Sequence, residues 1–297
     1  MKKRGNYKFL GKFSHYVPGI GGMFALLAWL LVGALFGGII TMILGLAMGP
    51  EFVKEYGTLI SYPLMFVPPM LFASAKSSTN SVNNSGWKLD NSHFAPVGVP
   101  LCVLLALTGV FAMGFWTDGL VALLPDMPEV LKEALTQLVG GKVWVNFLTV
   151  SIFAPLCEEW LCRGMVLRGL LMKTRMKPVW AIIISAVFFA LIHMNPWQAI
   201  PAFLIGCLLG YVYYRTGSLK LTMFMHFANN TLSLALGHVD SLKEMDTWMD
   251  IMPVRNYVLI ASACFLLTVL VVLAFRKVQL LKPEGNIDEI PSLFEAE

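Results

Sequence analysis

The chain has 297 residues, 57% of them hydrophobic and 13% charged, with a net charge of +4 and a mean hydropathy of +0.69. A soluble domain carries about 25% charged residues, so an ordinary water-soluble fold is excluded and the bilayer is the natural solvent. The modest positive charge falls in short clusters between apolar stretches, which suits loop anchoring and not a nucleic-acid surface.

In chain order, Lys2, Lys3, Arg4, Lys8 and Lys12 precede an uncharged run from Val17 to Pro50. A cleaved signal peptide has an apolar region of only ~7–15 residues, so this run reads as a retained first span. A spanning helix needs ~20 apolar residues. About eight stretches qualify on that criterion: 18–48, 57–75, 97–116, 145–172, 178–195, 197–215, 219–238 and 255–275. The fold class expected is therefore all-α, a polytopic helical bundle of about eight spans. Residues 76–95 are rich in Ser and Asn and predict a flexible loop. Pro128–Leu138 suits an amphipathic piece on the interface, and the acidic tail from Pro283 is expected to be poorly ordered. The chain divides into an N-terminal membrane region (1–140), a motif-bearing core (141–240), and a last span with its tail (241–297).

Orientation follows from the loops. Arg163, Arg168, Lys173, Arg175 and Lys177 gather at one hairpin, Arg215 and Lys220 at another, and Arg276, Lys277 and Lys282 after the last span. The intervening loops carry Asp118, Asp126, Glu129 and Glu133, then Asp240, Glu244, Asp246 and Asp250. The positive-inside rule then places both termini in the cytoplasm, in a multi-pass protein of the cytoplasmic (inner) membrane. Cys102, Cys157, Cys162, Cys207 and Cys264 lie in apolar surroundings without a CxxC pair and read as buried free thiols.

Ionisable groups inside spans cost about 2.5–3.5 kcal/mol each at a helix centre. Here they concentrate in three neighbouring segments: Glu158, Glu159 and Arg163; His193; and His226 with Asn229 and Asn230. On a helix Glu159 and Arg163 share a face and can pair, whereas Glu158 points about 100° away and is left for chemistry. If the next hairpin turns near Arg175, Glu158 and His193 lie about 17 and 18 residues from it, hence at nearly one depth. His226 and Asn230 share a face and both can donate hydrogen bonds. Together these supply a base, a water-orienting histidine, two oxyanion donors and a compensating arginine, a set suited to hydrolysis by activated water. Cys157 and Cys162 flank the acids, but no evident base stands ready to activate either. Against this, Glu158 and Arg163 would merely snorkel at a helix end, His193 would be a structural histidine, and His226 and Asn230 would be interhelical glue. The crowding of all three segments at one level favours a shared site.

The run Glu158-Glu159-Trp160-Leu161-Cys162-Arg163, then Phe189-Ala190-Leu191-Ile192-His193, then His226-Phe227-Ala228-Asn229-Asn230 resembles the EExxxR, FxxxH and HxxxN motifs of the CPBP (Abi) intramembrane proteases. That family includes the type II CAAX prenyl endopeptidases. The resemblance covers about residues 145–236. It implies that Glu158 and His193 activate water, that His226 and Asn230 hold the oxyanion, and that Glu159 and Arg163 form a supporting ion pair. The implied substrates are membrane-bound or lipidated peptides and proteins, reached through a cavity expected to open to the cytoplasm where the basic hairpins lie. No cofactor is expected, and no nucleic-acid partner. The alternative is Zn²⁺ on Glu158, His193 and His226, since a Glu and two His can hold the ion with one position open. Two other classes remain beside the enzyme. A proton-coupled transporter would string its ionisable groups through the membrane, and a scaffold or immunity-type protein would bind a peptide without cutting it.

Overall fold

In the computed structural model the described residues are 9–83, 86–133, 141–173, 176–239, 242 and 247–280. The basic cluster Lys2–Lys8, Arg175, the acidic residues Asp240, Glu244 and Asp246, residues 134–140 at the end of the expected amphipathic piece, and the acidic tail lie outside them. The described residues are helical, with no strand among them. Eight long helices run in order: α1 (Ile20–Met48), α2 (Pro50–Asn80), α3 (Val99–Val121), α4 (Val143–Lys173), α5 (Pro178–Leu191), α6 (Pro196–Thr216), α7 (Leu219–Leu236) and α8 (Val254–Phe275).

Six of the eight are long and apolar enough to cross a membrane. The other two are α5, with 14 residues, and α7, which carries Lys220, His226, Asn229 and Asn230 along its 18 residues. The breaks follow local chemistry. Gly49 takes φ 90° and Pro50 opens α2, the arrangement that ends one helix and starts the next. Gly217, at φ 59°, closes α6, and the Ser218 side chain caps α7 by accepting from the Leu221 N–H. Asn195 caps α6 in the same way through the Trp197 N–H.

α4 is the central helix: 67% of its most apolar window is buried, against 17% for α2 and for α8. Around it, one apolar cluster joins α4, α5 and the segment 13–17 to the inner faces of α1 and α2. A second joins α3, α6, α7 and α8. Gly33 and Gly37 let α1 approach α2 closely; a Cβ on Gly37 would stand 2.9 Å from the Ser61 carbonyl oxygen. Small residues at such a seam are the usual means of close helix packing in membranes.

Residues 76–95 are not the flexible loop the composition predicts. Positions 76–80 complete the last turns of α2, and residues 86–95 are pinned across the end of the bundle. Trp87 N–H donates to Ser14 O at 2.9 Å, Asn91 N–H to Gly217 O and His93 N–H to Thr216 O at 2.8 Å each, and Gln279 N–H to Ala95 O at 2.8 Å. Asp90 meets the Lys220 ammonium at 3.1 Å, and Leu89 is fully buried. Polar composition predicts a solvated loop only when nothing is available to bond the side chains and backbone. Here the α6–α7 turn supplies those partners. The segments 9–18, 86–98, 216–220 and 276–280 therefore share one end of the bundle, its basic end. At the opposite end Trp197 Nε1 donates to Pro125 O at 2.8 Å, and Lys142 pairs with Glu55 at 2.9 Å.

Candidate active site

The site is built on an irregularity in α4. Pro155 has no N–H to give, and the helix around it is wound more loosely: Phe147–Phe153 and Trp160–Leu167 are π-helical. The Ala154 N–H reaches Thr149 O, five residues back. Val150 O has thus lost the donor four residues on, while the residue five on is Pro155. An orphaned carbonyl within the bundle needs another partner, and the Asn230 amide provides it, Nδ2 to Val150 O at 2.9 Å. The Asn230 side-chain oxygen accepts from Asn229 Nδ2 at 3.3 Å, which leaves one Asn230 N–H for another acceptor.

Between the two π stretches sit the adjacent acids, and they face different partners. Glu159 is fully buried, as is Arg163. Its Oε1 lies 2.7 Å from Arg163 Nη1 and 3.1 Å from His226 Nδ1. Arg163 also donates from Nη2 to Gly206 O at 2.9 Å, and its guanidinium lies 4.6 Å from the Phe189 ring centre. Glu158 is 7% exposed. Its Oε1 accepts from the Tyr62 hydroxyl of α2. Its Oε2, like Oε2 of Glu159, has no hydrogen-bond partner, and it stands 3.8 Å from His226 Nε2. Leaving a buried acceptor unpaired costs about 1–3 kcal/mol, so such an atom calls for an explanation.

His226 therefore bridges the pair: Glu159 addresses Nδ1 and Glu158 faces Nε2. A carboxylate accepts, so the Nδ1–H donates to Glu159 and Nε2 is the nitrogen turned into the site. His193 is placed differently from the sequence expectation. α5 stops at Leu191, and His193 sits in the turn before Met194, whose φ is 52°. Its Nδ1–H donates to Phe189 O at 2.8 Å, so in the neutral ring Nε2 is the acceptor. Among the described contacts none joins His193 to Glu158. The sequence reading sets a water between those two groups, which requires no direct contact. Contacts between α4 and α5 fix the register: Ser185 Oγ donates to Cys162 O at 2.9 Å, and Glu158 lies four residues and His193 eight residues from that contact, so His193 stands about one turn, roughly 6 Å, further from the basic end. Phe189 links the two imidazoles, with ring centres 4.9 Å from His193 and 5.5 Å from His226.

The structure thus brings Glu158, Glu159, Arg163 and His226 into direct contact, with His193 attached through Phe189 and Asn230 through Val150. Tyr62 escaped the sequence reading, which weighed only ionisable groups and amides. The available signal was a phenol inside an apolar helix, where a hydroxyl finds a partner. For the alternative metal set, Glu158 and Glu159 address opposite nitrogens of His226 while His193 is bonded to a carbonyl. No three His, Cys, Asp or Glu side chains among the described residues converge on one point, so the arrangement does not fit a zinc site.

Residues 140–232 match the family model described as type II CAAX prenyl endopeptidase Rce1-like. A curated relative, an uncharacterized 24.3 kDa protein of Escherichia coli, is 28% identical over 148 residues, a match that takes in 48% of this chain. The chain spans 65% of that relative's length. No solved structure matches.

Proposed function

We propose, from the match of residues 140–232 to the Rce1-like type II CAAX prenyl endopeptidase model, that the chain belongs with these membrane proteases and is a glutamate-type intramembrane endopeptidase. The observation that carries this reading is Glu158: one carboxylate oxygen is held by Tyr62, and the other is buried, unpaired and turned toward an imidazole nitrogen.

Glu158 Oε2 takes the proton of a water as the water oxygen adds to the scissile carbonyl. His193 Nε2, an acceptor because Nδ1–H is bonded to Phe189 O, orients that water. The carbonyl oxygen becomes an oxyanion, and two donors serve it: the Nε2–H of His226 in its imidazolium form, and the remaining N–H of Asn230. Glu159, already bonded to Nδ1, holds the ring with Nε2 turned into the site. As the C–N bond breaks, Glu158 returns its proton to the leaving amine, leaving a new carboxylate and a new N-terminus. Arg163 compensates the charge of Glu159 and takes no part in the proton transfers. Its substrates are membrane-associated or lipidated peptides and proteins.

The test compares purified wild type with Glu158→Gln on a library of membrane-proximal and lipidated peptides, reading cleavage by mass spectrometry with and without a strong chelator. Loss of a general base costs about 10²–10⁴-fold, so cleavage falls by that order while the protein folds normally, and chelator changes nothing. Equal cleavage by both proteins, or an activity removed by chelator and restored by Zn²⁺, sinks the glutamate reading.

A further inference from the structure

We infer that the site is entered from the end of the bundle opposite the basic loops, so that its substrates are peptides presented at the outer face of the membrane. This rests on the protease reading above and adds the side from which the substrate comes. Basic hairpins taken by themselves point the opening toward the cytoplasm; the packing around Glu158 argues the reverse.

Toward the basic end, the residues that follow Glu158 are packed. Leu161, Cys162, Arg163, Met165 and Thr222 are fully buried, and Trp160 and Ser185 are 1% exposed. Beyond them lies a plug of two loop segments. Phe13 packs its ring 5.1 Å from that of Trp160, and the Leu89 side chain reaches α4 beside Gly164. Arg168, itself buried, fastens both segments to the helix: Nη2 donates to Tyr16 O at 2.6 Å and Nη1 to Trp87 O at 2.9 Å. A buried guanidinium spanning two segments is costly to detach, because each carbonyl and the charge would lose its partner together. This end is built as a wall.

Toward the other end the same helices open. On α7 His226 is buried, yet Asn229, Asn230 and Thr231 are half-buried and Ser233 is exposed. His193 is half-buried, and the adjoining Met194 is 80% exposed. Asn229, Asn230, Thr231 and His193, polar and partly exposed, lie on this side of Glu158, whereas the partnerless atoms next to it on the basic side, Trp160 Nε1 and Arg163 Nε, are sealed from water. Water, which the chemistry consumes, reaches a buried base only along polar groups.

Orientation converts that end into a compartment. Lys12, Lys76, Lys88, Lys173, Lys177, Lys220, Arg276 and Lys277 all lie at or next to the walled end. The opposite end carries Lys54, Lys132, Lys142 and Arg255, half as many cations, beside Asp118, Asp126, Glu129 and Asp250. The walled end is therefore cytoplasmic by the positive-inside rule, and the open end faces outward. A substrate of this site carries its scissile bond at the outer interface: a secreted or exported peptide held there by a lipid or an apolar segment.

The experiment uses the full-length protein in its membrane. Single cysteines are placed at the mouth (Met194→Cys and Ser233→Cys) and at the walled end (Lys220→Cys), with the unsubstituted protein as the labelling blank. A membrane-impermeant thiol reagent is applied to right-side-out spheroplasts and to inside-out vesicles. The expected result is labelling of both mouth cysteines from the outside and of the Lys220 position only from the inside. Mouth cysteines that react only from the inside, equally from both sides, or from neither overturn the inference, as does outside labelling at Lys220. Labelling needs no turnover, so the access route and the protease reading fail separately: a protein that cuts nothing but labels as expected refutes only the latter.

Discussion

The two halves of α4 differ in how they treat charge and polarity. From Glu159 to Met172 the helix is sealed, and its charged groups bond to one another or to backbone inside the protein: Glu159 with Arg163 and His226, Arg163 with Gly206 O, Arg168 with three backbone carbonyls. From Phe147 to Glu158 the helix is partly open and begins with a π-wound stretch. Polar groups in and beside this half keep something in reserve, namely Glu158 Oε2, the second N–H of Asn230 and Nε2 of His193. The boundary runs between two adjacent glutamates of identical chemistry. Each glutamate keeps one buried oxygen without a hydrogen-bond partner; what separates them is the other oxygen, which meets a guanidinium and an imidazole in Glu159 and a neutral phenol in Glu158.

Exchanging the same atoms on either side of the boundary is the sharpest way to break that contrast. Glu159→Gln removes the negative partner of a fully buried arginine, and breaking a buried pair this way costs about 3–5 kcal/mol. The protein is expected to lose thermal stability in detergent or to fail to accumulate, as measured by fluorescence-detected size exclusion across a temperature ramp. Glu158→Gln leaves the melting profile close to wild type. Similar melting curves for the two variants would erase the distinction between the two acids.

Asn230 tests the open half from the other helix. Asn230→Ala strips a donor from Val150 O and a candidate donor from the oxyanion, and loss of one oxyanion donor costs about 10²–10³-fold in kcat. Cleavage kinetics at saturating substrate measure it. A fall in stability without a matching fall in kcat would make Asn230 a patch on the π-helical stretch and nothing more.

How much of this could be read from residues alone depends on range. Glu159 with Arg163, Phe189 with His193, and His226 with Asn230 are each four apart, so one helical turn carries the relation and the spacing shows it. Helix positions were legible for the same reason, since apolar length and Gly–Pro or Gly–Ser punctuation are local. Length and composition alone qualify six of the eight helices as crossings, since α5 is short and α7 is polar. The contacts that distinguish Glu158 from Glu159 are not local at all. Tyr62 lies 96 positions from Glu158, and Asn230 lies 80 from Val150. Pro155 was the one local hint of a disturbed helix, and its consequence for Val150 O needs the winding itself.

A steric change in the first hairpin should reach the site through α2. Gly37→Leu forces a side chain against the Ser61 carbonyl, and overpacking costs about 1–3 kcal/mol. Ser61 adjoins Tyr62, so the variant is expected to lose both melting temperature and kcat, with the conservative Gly37→Ala falling between it and wild type. Full activity in Gly37→Leu would uncouple α2 from the site.

The smallest effect isolates the phenol itself. Tyr62→Phe keeps the ring against Phe66, 5.6 Å away between centres, and removes only the hydroxyl that holds Glu158 Oε1. A positioning role predicts a loss of about tenfold in kcat, equivalent to roughly 1.4 kcal/mol of transition-state stabilisation, with KM unchanged because no substrate contact is lost. A purely structural role predicts a lower melting temperature at constant kcat instead. The double variant Tyr62→Phe with Glu158→Gln separates the two further. If the hydroxyl acts only through the carboxylate, removing it from a protein that already lacks the base costs nothing more, and an additional fall in activity would mean that Tyr62 contributes by a route independent of Glu158.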